Sequence, residues 1–330
     1  MKEKITTAKS LLSGLVKIVN MINPAFDRHH EQVAYLSYMI AKEIGFSQKE
    51  YKNLIYAALL HDIGSIMFDD FDQQQSIQDI EKRAKELEIY SSRLIEGFAD
   101  AGDISEIVSY SQSSWKNILD KDNVNVILGN ILHISDYVVT MINEEKTIIN
   151  QAKDIINYIL YFKDDFKKEI LDIFLKVSSQ EYVWMDVKYN PEFLKFFIDD
   201  LGDIDIDELI NITRFISRLI DYRSAFTVMH SAGVAASASA LAELSHMNEL
   251  DQKKMLVSGY LHDIGKLRVP KSILEKPGKL NEEEFNIIKE HPYYTRLILM
   301  GIEGFEEIAD WASLHHEKLN GNGYPFCLKE

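Results

Sequence analysis

The chain is 330 residues long, 46% hydrophobic and 27% charged, a composition typical of a soluble globular protein with room for two domains. Its net charge of −16 argues against a duplex nucleic acid as partner, although local cations can still neutralise a small anionic substrate. The apolar runs are too short to span a membrane, the N-terminus lacks the pattern of a signal peptide, and the single Cys327 excludes an intrachain disulfide, so we expect a cytoplasmic protein.

Helical spacing of apolar residues runs through nearly the whole chain. An amphipathic helix is predicted over residues 8–22, where it could pack on a partner or on the protein's own core, and we favour the core. The next segment places Val33, Leu36 and Ile40 on one face and stops at Gly45. The pattern predicts an all-α fold.

Capping patterns predict where several helices begin. Ser47 with Glu50, and Asn281 with Glu284, have the spacing of a capping box. An aspartate opens a further helix in the stretch IDIDELINITRFISRLI at 204–220. The helices therefore begin at defined residues in both halves of the chain.

Two stretches of the chain repeat one another. LLHDIGSI at 59–66 matches YLHDIGKL at 260–267, and each His-Asp pair follows an earlier histidine, His30 or His230, by 31 or 32 positions. Such self-similarity predicts a tandem of two related helical units. We place the first at 1–203, closed by helices from about residue 150, and the second at 204–330.

Histidines concentrate in the second unit. Six of the chain's ten lie between His230 and His316, and of these we set His246 aside as a surface residue. Imidazole and carboxylate together suit iron, manganese, zinc and similar ions, and the donors here exceed the three of a typical catalytic zinc site. We therefore predict a cluster of at least two metal ions held by His230, His262, Asp263, His291, His315 and His316.

A loop of turn-forming residues, GNGYP at Gly321–Pro325, follows the histidine pair and is expected to wall the metal site. HDIGK at His262–Lys266, then His291, HHE at His315–Glu317 and this loop stand in the order of the HD-GYP family, which the chain resembles over residues 226–325. That family is a branch of the HD phosphohydrolases. The resemblance implies a helical bundle with two or three metals, often iron or manganese, that hydrolyses cyclic di-GMP or, in some members, cyclic GMP-AMP.

The resemblance also implies roles for individual residues. The six residues of the predicted cluster would be metal ligands, and Asp263 would bridge the metals as a catalytic residue. Lys266 would contact a phosphate oxygen, which suits the compact charge of an ammonium. Gly323, Tyr324 and Pro325 would border the substrate. The first product would be the linear dinucleotide, and the cofactors two divalent ions, iron or manganese.

Two departures from the family's pattern shape these expectations. Members with three metals carry a glutamate one turn before the first histidine, where this chain has Phe226, so we expect two metals. The family's last ligating aspartate would follow Glu330. The second bundle is accordingly predicted to be truncated at its C-terminus and to lack one ligand.

The first unit is predicted to be a degraded copy of the second. It keeps His30, His61, Asp62 and Asp136, which either hold one ion as a vestigial metal site or hydrogen-bond one another. Ser65 stands where the second unit has its phosphate-contacting lysine. We expect Ser114 and Trp115 at the positions that correspond to His315 and His316. Glu88 or Tyr90 is expected at the position that corresponds to His291.

Three functions follow from these patterns. The leading hypothesis is a metal-dependent cyclic dinucleotide phosphodiesterase. The degraded first unit favours, as an alternative, an adaptor that binds a dinucleotide or a signalling protein without turnover. A phosphohydrolase of ordinary nucleotides is weakened by the Gly-Tyr-Pro loop. In each case the first unit would regulate or dimerise, and the sequence leaves a homodimer open.

Overall fold

The structure is a computed structural model that describes residues 4–7, 10, 11, 14, 17, 28–67, 77–96, 102–189, 203–222 and 230–329. The chain forms two compact units, which we call the first unit (23–201) and the second unit (1–22 with 202–330). The division near residue 202 lies close to the expected boundary. Residues 1–22, however, group with the second unit and not with the first. Phe226 lies outside the described residues.

The described part of the first unit is built from helices. They are α1 (His29–Ile44), α2 (Gln48–Leu60), α3 (Ile77–Glu96), α4 (Gly102–Ser109), α5 (Val124–Thr140), α6 (Ile148–Tyr161), α7 (Lys168–Ser178) and α8 (Glu181–Tyr189). Short 3-10 turns at Ile63–Met67, Trp115–Asn117 and Lys163–Asp165 connect some of them. Helices α1, α2, α4 and α5 pack on one another and enclose the core.

The second unit repeats this arrangement with different lengths. Its helices are α9 (Ile206–Tyr222), α10 (His230–Leu244), α11 (Glu249–Leu261), α12 (Lys271–Leu274), α13 (Glu282–Lys289), α14 (His291–Leu299) and α15 (Glu306–Ser313). A 3-10 turn at Ile264–Arg268 follows α11, as the one at Ile63–Met67 follows α2. The packing of α10 on α11, of α11 on α15 and of α14 on α15 parallels that of α1 on α2, α2 on α4 and α3 on α4.

The helix boundaries confirm the capping predictions. Gly45 ends α1 with a φ of 82°, a left-handed conformation that glycine adopts without the usual steric penalty. The Ser47 side chain accepts from the Glu50 amide and the Glu50 carboxylate accepts from the Ser47 amide, which completes the first capping box. Asn281 and Glu284 form the second box in the same way.

One small sheet adds to the predicted all-α fold. Strand β1 (Lys4–Thr7) pairs antiparallel with β2 (Asp203–Asp205). This pairing explains why residues 1–22 group with the second unit. Of the predicted helix at 8–22, the structure describes only a few positions; among them Leu11 is buried, and Ser10 accepts a hydrogen bond from the Glu303 amide at 2.7 Å.

The glycine of each His-Asp-Ile-Gly motif lets its turn lie against the next helix. A Cβ on Gly265 would lie 1.9 Å from the carbonyl oxygen of His291, and one on Gly64 would lie 2.8 Å from that of Leu87. The Gly265 amide donates to the Thr295 hydroxyl at 3.1 Å, and the Gly64 amide makes the same bond to a serine hydroxyl at 2.8 Å. Only glycine permits this approach, which places α14 beside the end of α11.

Within the described ranges, no helix combines the length and the apolar character that crossing a bilayer requires.

We expect Gly265→Ala to destabilise the second unit by about 1–3 kcal/mol, because the added methyl group collides with the His291 backbone. Gly233→Ala is the matched control, since a Cβ there meets nothing within 4 Å and alanine favours helix α10 by up to about 1 kcal/mol. Thermal and urea unfolding measure both changes. Equal losses of stability in the two variants would contradict the close-approach argument.

Candidate metal centres

Four helix ends bring the predicted ligands of the second unit together. His230 begins α10, His262 and Asp263 follow α11, His291 begins α14, and the last two histidines follow α15. Their donor atoms form two groups, each within 4.8 Å: His230, His262 and Asp263, and His291, His315 and His316. We call these six residues the second-unit cluster. His246, which we had set aside, is exposed at the end of α10.

The carboxylate of Asp263 lies between the two groups. Its Oδ2 is 3.1 Å from Nε2 of His262 and 3.9 Å from Nε2 of His230. Its Oδ1 is 3.3 Å from Nε2 of His291 and 3.8 Å from Nε2 of His315. Each oxygen therefore faces its own set of imidazoles, the arrangement that a bridging carboxylate requires.

Backbone carbonyls hold the imidazole rings in one orientation. Because a carbonyl can only accept, the Nδ1 atom bonded to it carries the hydrogen and Nε2 presents a lone pair. Such a bond is the usual support of a metal-binding histidine. In the second unit these bonds run from His262 to Gly259 (2.8 Å), from His291 to Ile288 (2.7 Å) and from His315 to Ala312 (2.8 Å).

This orientation makes the cluster suitable for a cation. The Nε2 atoms of His291 and His315 are 3.1 Å apart, and with both Nδ1 atoms protonated their lone pairs face each other. Two neutral rings repel in that geometry, and a shared metal ion removes the repulsion. The residues present therefore fit the ions that imidazole and carboxylate prefer.

The charges at the cluster support the same assignment. Burial alone would raise the pKa of Asp263, but the neighbouring His262 and His291 imidazoles and the Lys266 ammonium hold it well below its ordinary value. Burial and the neighbouring His262 lower the pKa of His315 to about 3, and burial and His291 lower that of His316 to about 4. The carboxylate is thus ionised and these two imidazoles are neutral at pH 7, the protonation states that ligands need.

The second-unit cluster is open to solvent on one side. The side chain of His230 is 48% exposed, and that of Lys266 is 24% exposed. The Lys266 ammonium ion-pairs with Oδ2 of Asp263 at 2.6 Å. The predicted phosphate-binding lysine therefore stands at the edge of the cluster with part of its side chain in solvent.

The Gly-Tyr-Pro loop folds back on the histidine pair. The Tyr324 ring stacks on the His316 ring, with centroids 4.6 Å apart and planes 20° apart, and Pro325 follows. The Glu317 carboxylate fixes the loop by accepting from the amides of Phe326 and Leu328, at 2.8 and 3.0 Å. A Cβ on Gly323 would lie 2.4 Å from the Cα of Glu317, so this glycine permits the close return.

The first unit contains a cluster of its own. His30, His61, Asp62 and Asp136 lie together as expected, and His29 joins them. We call these five residues the first-unit cluster. His29 was not among the predicted residues, although it stands beside His30 in the sequence, and the adjacent pair was the available signal. Burial lowers the pKa of His61, but the Asp62 and Asp136 carboxylates and the Ala58 carbonyl together outweigh burial and raise that pKa to about 9.

The predicted counterparts of the remaining histidines are corrected by the structure. Gly64 contacts the Leu87 carbonyl as Gly265 contacts that of His291, so Leu87, and neither Glu88 nor Tyr90, is the counterpart. The turn bond from the Ser113 amide to Tyr110 matches that from Glu317 to Leu314. The histidine pair therefore corresponds to Ser111 and Gln112, and not to Ser114 and Trp115.

An unequal insertion causes this shift. Between Gly265 and His291 the chain advances 26 positions, but between Gly64 and Leu87 it advances only 23. Corresponding positions in the two units are therefore 201 apart at the His-Asp pairs but 204 apart from His291 onward, whereas the prediction had used 201 throughout. Gln112 is a residue that the sequence did not single out, and its amide donates to Oδ2 of Asp136 at 2.7 Å.

Comparison with protein families identifies both units. The description "HD domain" matches residues 26–157 and again residues 214–330. This is a tandem HD-domain protein. The match confirms the predicted pair of HD-type bundles.

One relative aligns along most of the chain, and others align with shorter stretches of it. The chain is 28% identical to the 3'3'-cGAMP-specific phosphodiesterase 1 of Vibrio cholerae over 91% of this chain and 73% of that protein. It is 39% identical to a cyclic di-GMP phosphodiesterase of Pseudomonas aeruginosa over 32% of this chain and 26% of that protein. The chain also superposes on the crystal structure of V-cGAP3, a cyclic GMP-AMP specific phosphodiesterase of V. cholerae, with a TM-score of 0.66 and 17% sequence identity. The superposition covers 96% of this chain and 84% of that one and shows that the fold is shared.

We expect Glu317→Ala to release the Gly-Tyr-Pro loop, because it removes the carboxylate that accepts from the amides of Phe326 and Leu328. Hydrogen exchange at these amides should become faster while exchange in α14 and α15 is unchanged. Glu243→Ala, an exposed position on α10, is the control. Unchanged exchange in the 323–328 segment of Glu317→Ala would show that the loop is held by other contacts.

Proposed function

We propose that this protein is a metal-dependent phosphodiesterase that hydrolyses a cyclic dinucleotide, cyclic di-GMP or cyclic GMP-AMP, to the linear dinucleotide. The observation that carries the proposal is the position of Asp263, whose two oxygens face separate sets of imidazoles within a solvent-accessible cluster. Similarity to proteins named as cyclic dinucleotide phosphodiesterases supports the class of substrate. The relative that aligns along 91% of the chain is named for 3'3'-cGAMP, which makes cyclic GMP-AMP the first substrate to test.

The cofactors we propose are two divalent ions, iron or manganese, one on each side of Asp263. His230, His262 and Oδ2 would hold one, and His291, His315, His316 and Oδ1 would hold the other. When bound, such ions activate water and stabilise negative charge on phosphate oxygens. The ligand set contains no thiolate, consistent with hard or borderline ions.

The remaining residues of the site would bind and orient the substrate. Lys266 would exchange its ion pair with Asp263 for a non-bridging phosphate oxygen, because its ammonium lies at the exposed edge of the cluster. Tyr324 would border the substrate with the face that does not stack on His316. An open groove of about 560 Å³ runs along α10 from His230 past Gly233 and Ser237, and its small side chains leave space for a nucleotide.

The first unit would act as a regulatory or dimerising module and not as a second hydrolytic site. It has Ser65 in place of Lys266. At the positions of the second group of imidazoles it has Leu87, Ser111 and Gln112. A dinuclear centre like that of the second unit therefore has no counterpart there. Signalling protein partners and a homodimer would act through this unit.

We expect the full-length, iron- or manganese-loaded protein to linearise cyclic GMP-AMP or cyclic di-GMP, and His262→Ala to abolish the reaction. The substitution removes an imidazole held between Gly259 and Asp263. The exposed His246→Ala is the matched control. Product analysis by chromatography separates the outcomes. If neither dinucleotide is cleaved while calorimetry detects tight binding, the protein is an adaptor, and release of phosphate from mononucleotides would instead indicate an ordinary nucleotide phosphohydrolase.

For Lys266→Met we expect kcat/KM to fall by about 10²-fold with metal content unchanged, because the substitution removes one cation that stabilises charge on the phosphate. Lys279→Met, at an exposed position, is the control for loss of a surface charge. A parallel loss of metal would show that Lys266 acts by holding Asp263, and wild-type kcat/KM would remove it from the site.

A further inference from the structure

Two side chains of helix α13 lie beside the Gly-Tyr-Pro loop. Phe285 and Lys289 are four positions apart on the helix and therefore share one of its faces. The Phe285 ring meets the Tyr324 ring edge to face, with centroids 6.4 Å apart and planes 74° apart. The Lys289 ammonium lies over both rings, 5.7 Å from the centroid of Phe285 and 5.8 Å from that of Tyr324. We call Phe285 and Lys289 the α13 pair.

One aromatic ring connects the α13 pair to the second-unit cluster. Tyr324, which contacts both members of the pair, stacks on His316. His316 belongs to the group of imidazoles on the Oδ1 side of Asp263. The groove along α10 begins at His230, in the group on the Oδ2 side. The α13 pair and the groove therefore border different groups of the same cluster.

The Lys289 ammonium is available to an anion. Among the residues that the structure describes, no carboxylate lies within 4.0 Å of it, and its contacts are the two aromatic rings. Lys266 and Lys276, by contrast, each hold a carboxylate at 2.6 Å. A phosphate can therefore bind Lys289 without displacing a carboxylate, which is an advantage in a chain of net charge −16.

The Phe285 ring is available to a flat ligand. It is 46% exposed, and none of the eight residues of α13 is buried, so core packing does not account for an aromatic side chain there. The helix is held at its first turn, where the Glu284 carboxylate accepts from the Asn281 amide and from the Lys276 ammonium. An exposed aromatic face on a fixed helix is suited to stack on a nucleobase.

A cyclic dinucleotide needs partners outside the metal centre. Its two phosphodiesters lie on opposite sides of one macrocycle, so only one of them can occupy the metals at a time. We propose that the α13 pair is a subsite for the second nucleotide: Lys289 binds the phosphodiester that is not cleaved, and Phe285 stacks on a purine. This subsite rests on the function proposed above and extends it from the metal centre to recognition of the whole dinucleotide.

Such a subsite distinguishes a dinucleotide from a single nucleotide. A mononucleotide held at the metals supplies neither a second phosphodiester nor a second base, and so loses both contacts. A hydrogen bond between an ammonium and a phosphate, and the stacking of a base on an aromatic ring, each strengthen binding by about 10-fold or more. The α13 pair therefore favours cyclic dinucleotides over ordinary nucleotides at the same metal centre.

Steady-state kinetics of the full-length, metal-loaded protein with cyclic GMP-AMP test the subsite. Phe285→Leu and Lys289→Gln should each raise KM by about 10-fold with kcat unchanged, because they remove contacts to a part of the substrate that does not react. Phe285→Tyr and Lys289→Arg, which keep the ring and the charge, should restore most of the loss. Ile287→Ala, exposed on the same helix, is the control and should match the wild type.

Calorimetry separates failure of the subsite from failure of the proposed function. The probe is the bisphosphorothioate of cyclic GMP-AMP, which resists hydrolysis and so reports binding without turnover. If the wild type and the Phe285→Leu and Lys289→Gln variants bind it equally well, the subsite is wrong while the phosphodiesterase stands. If the wild type neither binds the probe nor cleaves a cyclic dinucleotide, the proposed function fails and the subsite with it.

Metal content and the unfolding temperature of each variant exclude a merely structural role. Both should equal the wild-type values in Phe285→Leu and in Lys289→Gln. A fall in kcat with unchanged KM, or a loss of metal, would show that the α13 pair supports the metal centre and would overturn the subsite. Equal KM values for Phe285→Tyr and Phe285→Leu would overturn the stacking contact.

Discussion

A single local interaction recurs at the histidines on which both clusters depend. The ring donates from Nδ1 to the carbonyl three residues earlier, and that carbonyl belongs to the last turn of a helix, where it has no partner within the helix. His61, His262, His291 and His315 all make this bond, at 2.7–2.8 Å. The bond satisfies an orphan acceptor, ends the helix and aims Nε2 into the unit, so the helix end and the ligand geometry have the same cause.

The rest of each cluster follows from where these helix ends meet. Gly265 brings the end of α11 within van der Waals distance of the start of α14, and Gly64 does the same at α3. The two units thus share the turn and differ in the residue that lies against its glycine, which is His291 in the second unit and Leu87 in the first. Together with Ser111 and Gln112 in place of the histidine pair, Leu87 leaves the first unit without a second group of imidazoles around its aspartate.

The local features of this architecture could be predicted from sequence, because caps, turns and apolar faces depend on residues a few positions apart. The capping boxes at Ser47 and Asn281 belong to this class. The six donors of the second unit lie on four helix ends and were predicted instead from the concentration of histidines and the order of the motifs. The pairing of β1 with β2 could not, since it joins residues about two hundred positions apart through backbone bonds with no side-chain signature. The counterparts of the histidine pair were misassigned because the spacing between the two units was assumed to be the same along the chain, whereas the second unit has three additional residues between Gly265 and His291.

His29 illustrates a subtler limit. Adjacent residues within a helix point about 100° apart, so one member of a His-His pair is ordinarily expected to face away from a site that the other lines. His29 and His30 are the first residues of α1, and there the cluster lies over the helix end, within reach of both rings. The same position is held in the second unit by His230 alone, whose side chain is half exposed. The shared motif thus differs in exposure between the two units: the side chains of the first cluster are at most 13% exposed, whereas the His230 side chain in the second is 48% exposed.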